Sequence, residues 1–247
     1  MILTVDIGNT TVALGFFSGD KLCRKAIFPS KQKSYFESLE KTIKKQKIKA
    51  VVICSVVPTT TRVFCRDIQK VCRFKPIIIG EDLKVPIKNL YREPKQVGQD
   101  RLVNAYAGIK LFGAPLIAVD FGTAVTFDVV SKNAEYLGGM ILPGIQLSLE
   151  ALHKRTALLP KVELKKPKEL IGKDTDSSII SGIVHGFAAM SDELVSRIKE
   201  EVGQEASVVA TGGDSELLAE YCREIKKIEP NLTLVGLNIL YNVHLHI

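Results

Sequence analysis

Twice in this sequence a carboxylate closes an apolar run and is followed two residues on by a glycine and then by a small polar residue. Asp6-Ile7-Gly8-Asn9-Thr10 follows the run at residues 1–5, and Asp120-Phe121-Gly122-Thr123 follows the run at 116–119. An aspartate at the end of a buried strand is costly unless something pairs with it. A glycine two residues later lets the backbone turn sharply or approach a ligand closely, and Thr123 adds a hydroxyl at the turn. Carboxylate, bare backbone and hydroxyl at one strand end can hold a metal-bound phosphate. Thr211-Gly212-Gly213-Asp214 follows a third apolar run, at 207–210, and precedes a helical pattern, an order compatible with nucleotide binding. A fourth group, Gly98-Gln99-Asp100-Arg101, starts another helical segment. None of these is a Gly-x-x-x-x-Gly-Lys-Ser/Thr loop or a Gly-x-Gly-x-x-Gly fingerprint.

These groups must be carried by strands and helices. Aligning Asp6 with Asp120 places Gly8 on Gly122 and Asn9 on Thr123, 114 positions apart in a chain of 247 residues. One Asp-x-Gly turn is weak evidence, because both are ordinary turn residues. Two copies, each ending one apolar strand and starting another, indicate two related halves, residues 1–114 and 115–247. Gly113-Ala114-Pro115 marks the boundary. The first half reads as a hairpin turning at Ser18-Gly19-Asp20, then a helix over 34–46 with Phe36, Leu39 and Ile43 on one face. A continuous apolar strand at 50–57 follows, ended by Pro58 and of the kind covered on both faces. A helix over 59–72, capped by Thr59 or Thr60, a strand at 76–79, an irregular loop at 84–97 and a helix from 98 to about 112 complete it. The second half reads as a second strand pair, an apolar strand at 137–142, a helix over 145–155 and a Pro- and Lys-rich loop at 156–171. A long helix over 177–202, a strand at 207–210, a helix over 215–226, a short strand at 232–235 and a terminal helix from 236 close the chain. Hairpin followed by alternating helices and strands is an α/β pattern.

The chain is 46% apolar and 25% charged, with a net charge of +7, ordinary values for a globular protein apart from the basic excess. Its longest strongly apolar run falls far short of the ~20 residues a bilayer span needs, and no basic-then-apolar leader opens it, so the cytoplasm is the expected compartment, with no membrane partner. The five cysteines, an odd count without Cys-x-x-Cys spacing, read as reduced structural residues rather than a disulfide framework or zinc site. Lysines concentrate at 41–49, 161–168 and 223–227, but no aromatic residues interleave with them, and Glu37, Glu40, Glu163 and Glu224 sit among them. They read as solvated faces rather than a nucleic-acid surface, and the excess positive charge favours anionic nucleotides. His153, His185, His244 and His246 form no metal-ligand spacing.

Two Asp-Gly strand pairs and a late strand-Gly-Gly-helix resemble the actin, sugar kinase and heat-shock ATPase superfamily. There, two ribonuclease H-like domains close on ATP with the active site in the cleft between them. The order Asp6-Ile7-Gly8-Asn9-Thr10, Gly98-Gln99-Asp100-Arg101, Asp120-Phe121-Gly122-Thr123-Ala124, Gly138-Gly139 through Pro143-Gly144 and Thr211-Gly212-Gly213 narrows the resemblance to type III pantothenate kinases, across nearly the whole chain. The Asp-Gly-Asn-Thr hairpin and the Gly-x-Asp-Arg box together are specific, whereas Thr-Gly-Gly alone is not.

The resemblance implies ATP-dependent phosphorylation of pantothenate to 4′-phosphopantothenate, the first step of coenzyme A biosynthesis, by a homodimer; the second half, whose long helix carries small residues at Gly182, Gly186, Ala188 and Ala189, is the expected interface. It implies that Asp6, Ile7, Gly8, Asn9, Thr10, Thr11, Val12 and Ala13 form the ATP phosphate loop, with Asp6 near magnesium, and that Thr123 touches ATP. Asp120 would hold a monovalent cation, potassium or ammonium; otherwise it is a capped strand-end aspartate. Asp100 would be the general base that takes the proton from the pantothenate hydroxyl; otherwise it caps the helix ahead of Leu102 and Val103. Tyr91, Gly98, Gln99, Asp100, Arg101 and Thr175 would line the pantothenate pocket. Arg101 would contact the substrate carboxylate or sit in a surface ion pair, Tyr91 would otherwise pack its loop, and Thr175 would otherwise cap the following helix. Two other functions remain open at this level: a kinase of the same fold for another small hydroxylated substrate, and a non-enzymatic transcriptional accessory factor.

Overall fold

In the computed structural model, which describes residues 1–44 and 46–244, β-branched and aromatic residues make the first meander. Expectations that touch Lys45 and His246 lie outside the described residues. Ile2–Ile7 (β1), Thr11–Ser18 (β2) and Lys21–Pro29 (β3) pair antiparallel in turn. After Phe36–Ile43 (α1) comes Ala50–Ser55 (β4), buried from Ala50 to Cys54, which pairs parallel to β1. A strand covered on both faces reads as a continuous apolar run for this reason. Pro58–Cys72 (α2) leads to Ile77–Ile78 (β5), parallel to β4. The sheet order is β3-β2-β1-β4-β5.

Pro58 begins α2 rather than merely ending the strand. Proline at the first helical position lacks only an N–H that would go unpaired there. Neither Thr59 nor Thr60 caps the helix, since the cap position is Val57. Asp67 of α2, 1% exposed, accepts from the Tyr35 N–H and the Ser34 hydroxyl at 2.8 Å each and from Arg66 Nε at 2.8 Å. Those donors hold its carboxyl at about 2, although burial pulls the other way. Asp67→Ala is expected to cost about 2–3 kcal/mol by leaving the buried Tyr35 N–H unpaired. Because the folded pKa lies below the unfolded one, the contribution is full above the ordinary aspartate range and is lost as pH falls through about 2. Urea unfolding of wild type and Asp67→Ala across that range checks it: the two stabilities should converge in acid.

Lys88–Asn89 (β6) and Gln99–Phe112 (α3) precede the second hairpin, Leu116–Phe121 (β7) with Ala124–Val130 (β8), and Glu135–Pro143 (β9). Ile145–Arg155 (α4), Thr175–Val202 (α5), Ser207–Thr211 (β10), Ser215–Ala219 (α6), Lys227–Ile228 (β11) and Leu232–His244 (α7) follow. The second sheet runs β11-β10-β7-β8-β9-β6. With β6 set aside, its order and strand directions repeat those of the first sheet, β7 standing for β1. The duplication read from two Asp-Gly turns is therefore a duplication of whole α/β units. The turns differ by one residue: Ile7 pairs with Val12, but Phe121 pairs with Val125.

The units are not the contiguous halves 1–114 and 115–247. One comprises Met1–Ile87, Arg92–Ala107 and the terminal helix; the other comprises Lys88–Tyr91 and Gly108–Asn231. Residues 232–235, expected as a strand, are the first turn of α7. Leu237 and Leu240 bury against Val52, Cys54, Val103 and Tyr106, and a Cβ on Gly236 would lie 2.7 Å from Val103 Cγ1. Close packing on α3 overrides the strand preference of a Leu-Thr-Leu-Val run. The expected helix over 215–226 stops at Ala219, because the Asp192 carboxylate accepts from the N–H groups of Arg223 and Glu224 at 2.8–2.9 Å and pulls that backbone aside. Two-residue strands β6 and β11 escape periodicity altogether. No described helix is long and apolar enough to cross a membrane.

Candidate active site

The end of β1 brings Asp6 into register with Ala13 on one side and Cys54 on the other. Asp100 is the second residue of α3, so it lies inside the helix rather than at its cap. Its Oδ1 accepts from the Arg101 N–H at 2.9 Å. That fold-back needs Gly98, where a Cβ would lie 2.4 Å from the same oxygen. Both carboxylates are half-buried, and the charge of one acts on the other. Burial first, and then the charge of Asp100, push Asp6 up to about 7, with Lys25 opposing. Burial also raises Asp100, against the Arg101 N–H and charge. The Cys54 thiol, buried beside both, is pushed well above its ordinary range. Desolvation disfavours the charged carboxylate and the thiolate alike, so this corner is prepared for a cation and for proton transfer. A carboxylate raised toward neutrality is a better base near neutral pH than a solvated one.

The remaining expected residues of this unit surround that corner. Asn9, Thr10 and Thr11 are exposed at the hairpin turn, closed by Gly8 N–H donating to Thr11 O at 2.9 Å. Arg101 is 8% exposed, which removes the surface ion-pair reading. Gln99 lies over Gly80 (φ +89°), where a Cβ would stand 2.9 Å from its Cδ. Gln99 and Gly80 line a groove of about 540 Å³ with Ser55, Thr61, Arg62 and Cys65. Gly80 follows the expected strand at 76–79, and only its place after a strand end hinted at it.

In the other unit, Asp120, next to last in β7, stands in register with Thr211, which is 2% exposed. Gly212 takes φ +91°, and a Cβ there would lie 2.3 Å from Asp120 Oδ1 and 2.7 Å from Phe121 O. Gly144, at the N-cap of α4, approaches the second hairpin just as closely: a Cβ would meet Thr123 O at 2.2 Å and Gly122 O at 2.6 Å. Asp120 Oδ1 and Phe121 O thus meet beside Gly212, and the Gly122 and Thr123 carbonyls meet beside Gly144; carboxylate and carbonyl oxygens of this kind suit a hard cation. Tyr91 donates its N–H to Asn89 Oδ1 at 2.9 Å and lays its ring on Gly138. Thr175 is the exposed first residue of α5, and Asp174, not Thr175, forms the cap through a reciprocal box with Ser177. The structure therefore groups Asp6, Gly98, Asp100 and Arg101 in one unit and Asp120 with Thr123 in the other.

Comparison with known proteins agrees with this arrangement. The model of the type III pantothenate kinase family matches residues 2–197. A type III pantothenate kinase from Bacillus cytotoxicus is 40% identical over 98% of this chain and 95% of its own length. One from Moorella thermoacetica is 40% identical over 98% of each. A solved structure from Campylobacter jejuni superposes with TM-score 0.63 at 18% identity over 99% of this chain and all of that one, a likeness of fold. Matching motifs, duplicated sheets and near full-length relatives lead to one assignment: the chain belongs to the type III pantothenate kinase family.

Proposed function

We propose that Asp100 is the general base of an ATP-dependent pantothenate kinase. The chain phosphorylates pantothenate to 4′-phosphopantothenate, opening coenzyme A biosynthesis. The observation that carries the residue assignment is the half-buried Asp100, folded back over bare Gly98 onto the Arg101 N–H and close enough for its charge to raise Asp6. The pantothenate hydroxyl oxygen forms a bond to the γ-phosphorus as the bond from that phosphorus to the β–γ bridging oxygen breaks. Asp100 accepts the hydroxyl proton, and ADP leaves. Phosphoryl transfer needs chiefly positioning and charge stabilisation. Asp6 and the loop through Ala13 hold the phosphates, and Thr123 contacts ATP. Asp6 fits magnesium, because a carboxylate raised to about 7 by burial regains its charge beside a cation. When bound, magnesium supplies positive charge against the phosphate oxygens. Gly98, Gln99, Arg101, Tyr91 and Thr175 bind pantothenate, with Arg101 facing its carboxylate.

Asp120 holds a monovalent cation, potassium or ammonium, supported by the oxygens gathered beside Gly212. Purified protein should turn over pantothenate with potassium or ammonium and lose on the order of tenfold or more when both are replaced by a bulky organic cation, the scale of removing ~1.4 kcal/mol of charge stabilisation. Equal rates in all salts would overturn the cation assignment, and turnover of a sugar with none of pantothenate would overturn the substrate. The protein acts as a homodimer through α5. Gly182, Ile183, Gly186 and Phe187 of α5 line an apolar groove with Leu142 and Ser148, and Ile141 and Leu147, next in sequence to those two, stand 65% and 47% exposed. Light scattering should give twice 27.2 kDa; a single-chain mass refutes the dimer. The reaction is placed in the cytoplasm, where its five free cysteines stay reduced.

A further inference from the structure

The turn between β1 and β2 is held from below by a residue that carries no motif. The β2–β3 register sets Pro29 opposite Thr11, so the next residue, Ser30, falls beneath residues 8–10. Its N–H donates to Thr10 O at 3.0 Å, and its hydroxyl donates to Gly8 O. Ser30 is itself anchored, because its carbonyl accepts from the Tyr35 hydroxyl at 2.5 Å and from the Thr60 hydroxyl at 3.2 Å. The Tyr35 ring is fully buried, edge-on to Phe64 at 5.4 Å, and its N–H is fixed by Asp67 at 2.8 Å. Ser30 is 2% exposed. A bracket thus runs from α2 through Tyr35 and Ser30 to the turn.

Polyphosphate is held by N–H and hydroxyl groups and repelled by carbonyl oxygens. Of the carbonyls in this turn, those of Gly8 and Thr10 are bonded by Ser30, and that of Thr11 accepts from Gly8 N–H. Removing the Ser30 hydroxyl releases the Gly8 carbonyl and loosens the turn without touching Asp6 or Asp100. We propose that Ser30, held by the Tyr35 hydroxyl, is a positioning residue for ATP: it ties back the turn carbonyls so that the loop receives the phosphates in one fixed shape. The inference rests on the reading of residues 6–13 as the phosphate loop.

Steady-state kinetics with each substrate varied in turn, on the full chain with magnesium and potassium, test it. Ser30→Ala is expected to raise KM for ATP about five- to tenfold, the scale of one lost hydrogen bond that leaves a partner unpaired, with KM for pantothenate within about twofold of wild type. Tyr35→Phe, which keeps the buried ring, should shift KM for ATP the same way by about two- to threefold, and it serves as the test should Ser30→Ala not fold. A purely structural role predicts instead that both KM values and the melting temperature move together, or that KM for ATP stays put; either result overturns the inference. Asn9→Ala separates the two levels. If it raises KM for ATP and the Ser30 and Tyr35 variants do not, only the positioning role falls. If none of the three changes KM for ATP, the phosphate-loop reading falls with it.

Discussion

Asp100→Asn should lower kcat for pantothenate phosphorylation by about 10²–10⁴-fold, the usual scale for a lost general base, while the protein stays folded. Asparagine has the same shape and retains an Oδ1 for the Arg101 N–H that now lies 2.9 Å from the carboxylate; what it loses is the ability to take a proton. The wild type carries a further signature. Burial raises Asp100 above the ordinary aspartate range, so kcat/KM should climb with pH through that raised value and fall below it as the base is protonated. In the variant this acid limb should vanish or move. Removing the Asp100 charge also removes the second of the two causes that push Asp6 up to about 7, so Asp6 should titrate lower in Asp100→Asn. Stopped turnover assays across pH check the first expectation, and carboxyl titration by NMR checks the second. Unchanged phosphorylation in Asp100→Asn refutes the assigned base.

Adjacent glycines should differ sharply in their tolerance of a methyl group. Gly212→Ala places a Cβ at φ +91°, 2.3 Å from Asp120 Oδ1 and 2.7 Å from the carbonyl carbon and oxygen of Phe121. The backbone conformation alone costs on the order of 1–3 kcal/mol for a non-glycine residue, and the backbone neighbours of the new methyl group have little room to yield. Thermal unfolding should therefore show a loss of at least that size. Turnover should fall more than stability predicts, because Asp120 must move. Gly213→Ala meets nothing within 4 Å, so its stability should stay within ~0.5 kcal/mol of wild type. Calorimetry on the two variants side by side is decisive: equal melting temperatures would show that the crowding at Gly212 does not constrain the site.

What the sequence disclosed, it disclosed through repetition and spacing. Asp6 and Asp120 each stand between two apolar runs, which is why the duplicated strand order was foreseeable from two short turns. The Gly98–Arg101 box announced a helix start, although not that Gly98 must be bare to admit the Asp100 carboxylate. Features that depend on distant partners stayed hidden. Residues 232–235 have strand-like composition, and only the burial of α7 on Val52 and Val103 decides for helix. Arg223 and Glu224 leave the helical path because Asp192, some thirty residues earlier, captures their N–H groups. Ser30 belongs to no pattern; its role comes from a strand register. The Asp174 cap of α5 follows a start signal legible in the sequence, an Asp three residues before Ser177, with the neighbouring Thr175 as a competing cap.

Placement of α7 in the first unit has a consequence for synthesis. Domains emerging from the ribosome ordinarily fold from the N-terminus onward. Here the second unit needs nothing beyond Asn231, whereas Val52, Cys54, Val103 and Tyr106 wait for Leu237 and Leu240, made after the second unit, to cover them. The first unit, whose strands β1 to β5 are made before the second unit, is therefore completed after it. A released chain truncated after Asn231 should keep a protease-resistant second unit, while its first unit has an open apolar face.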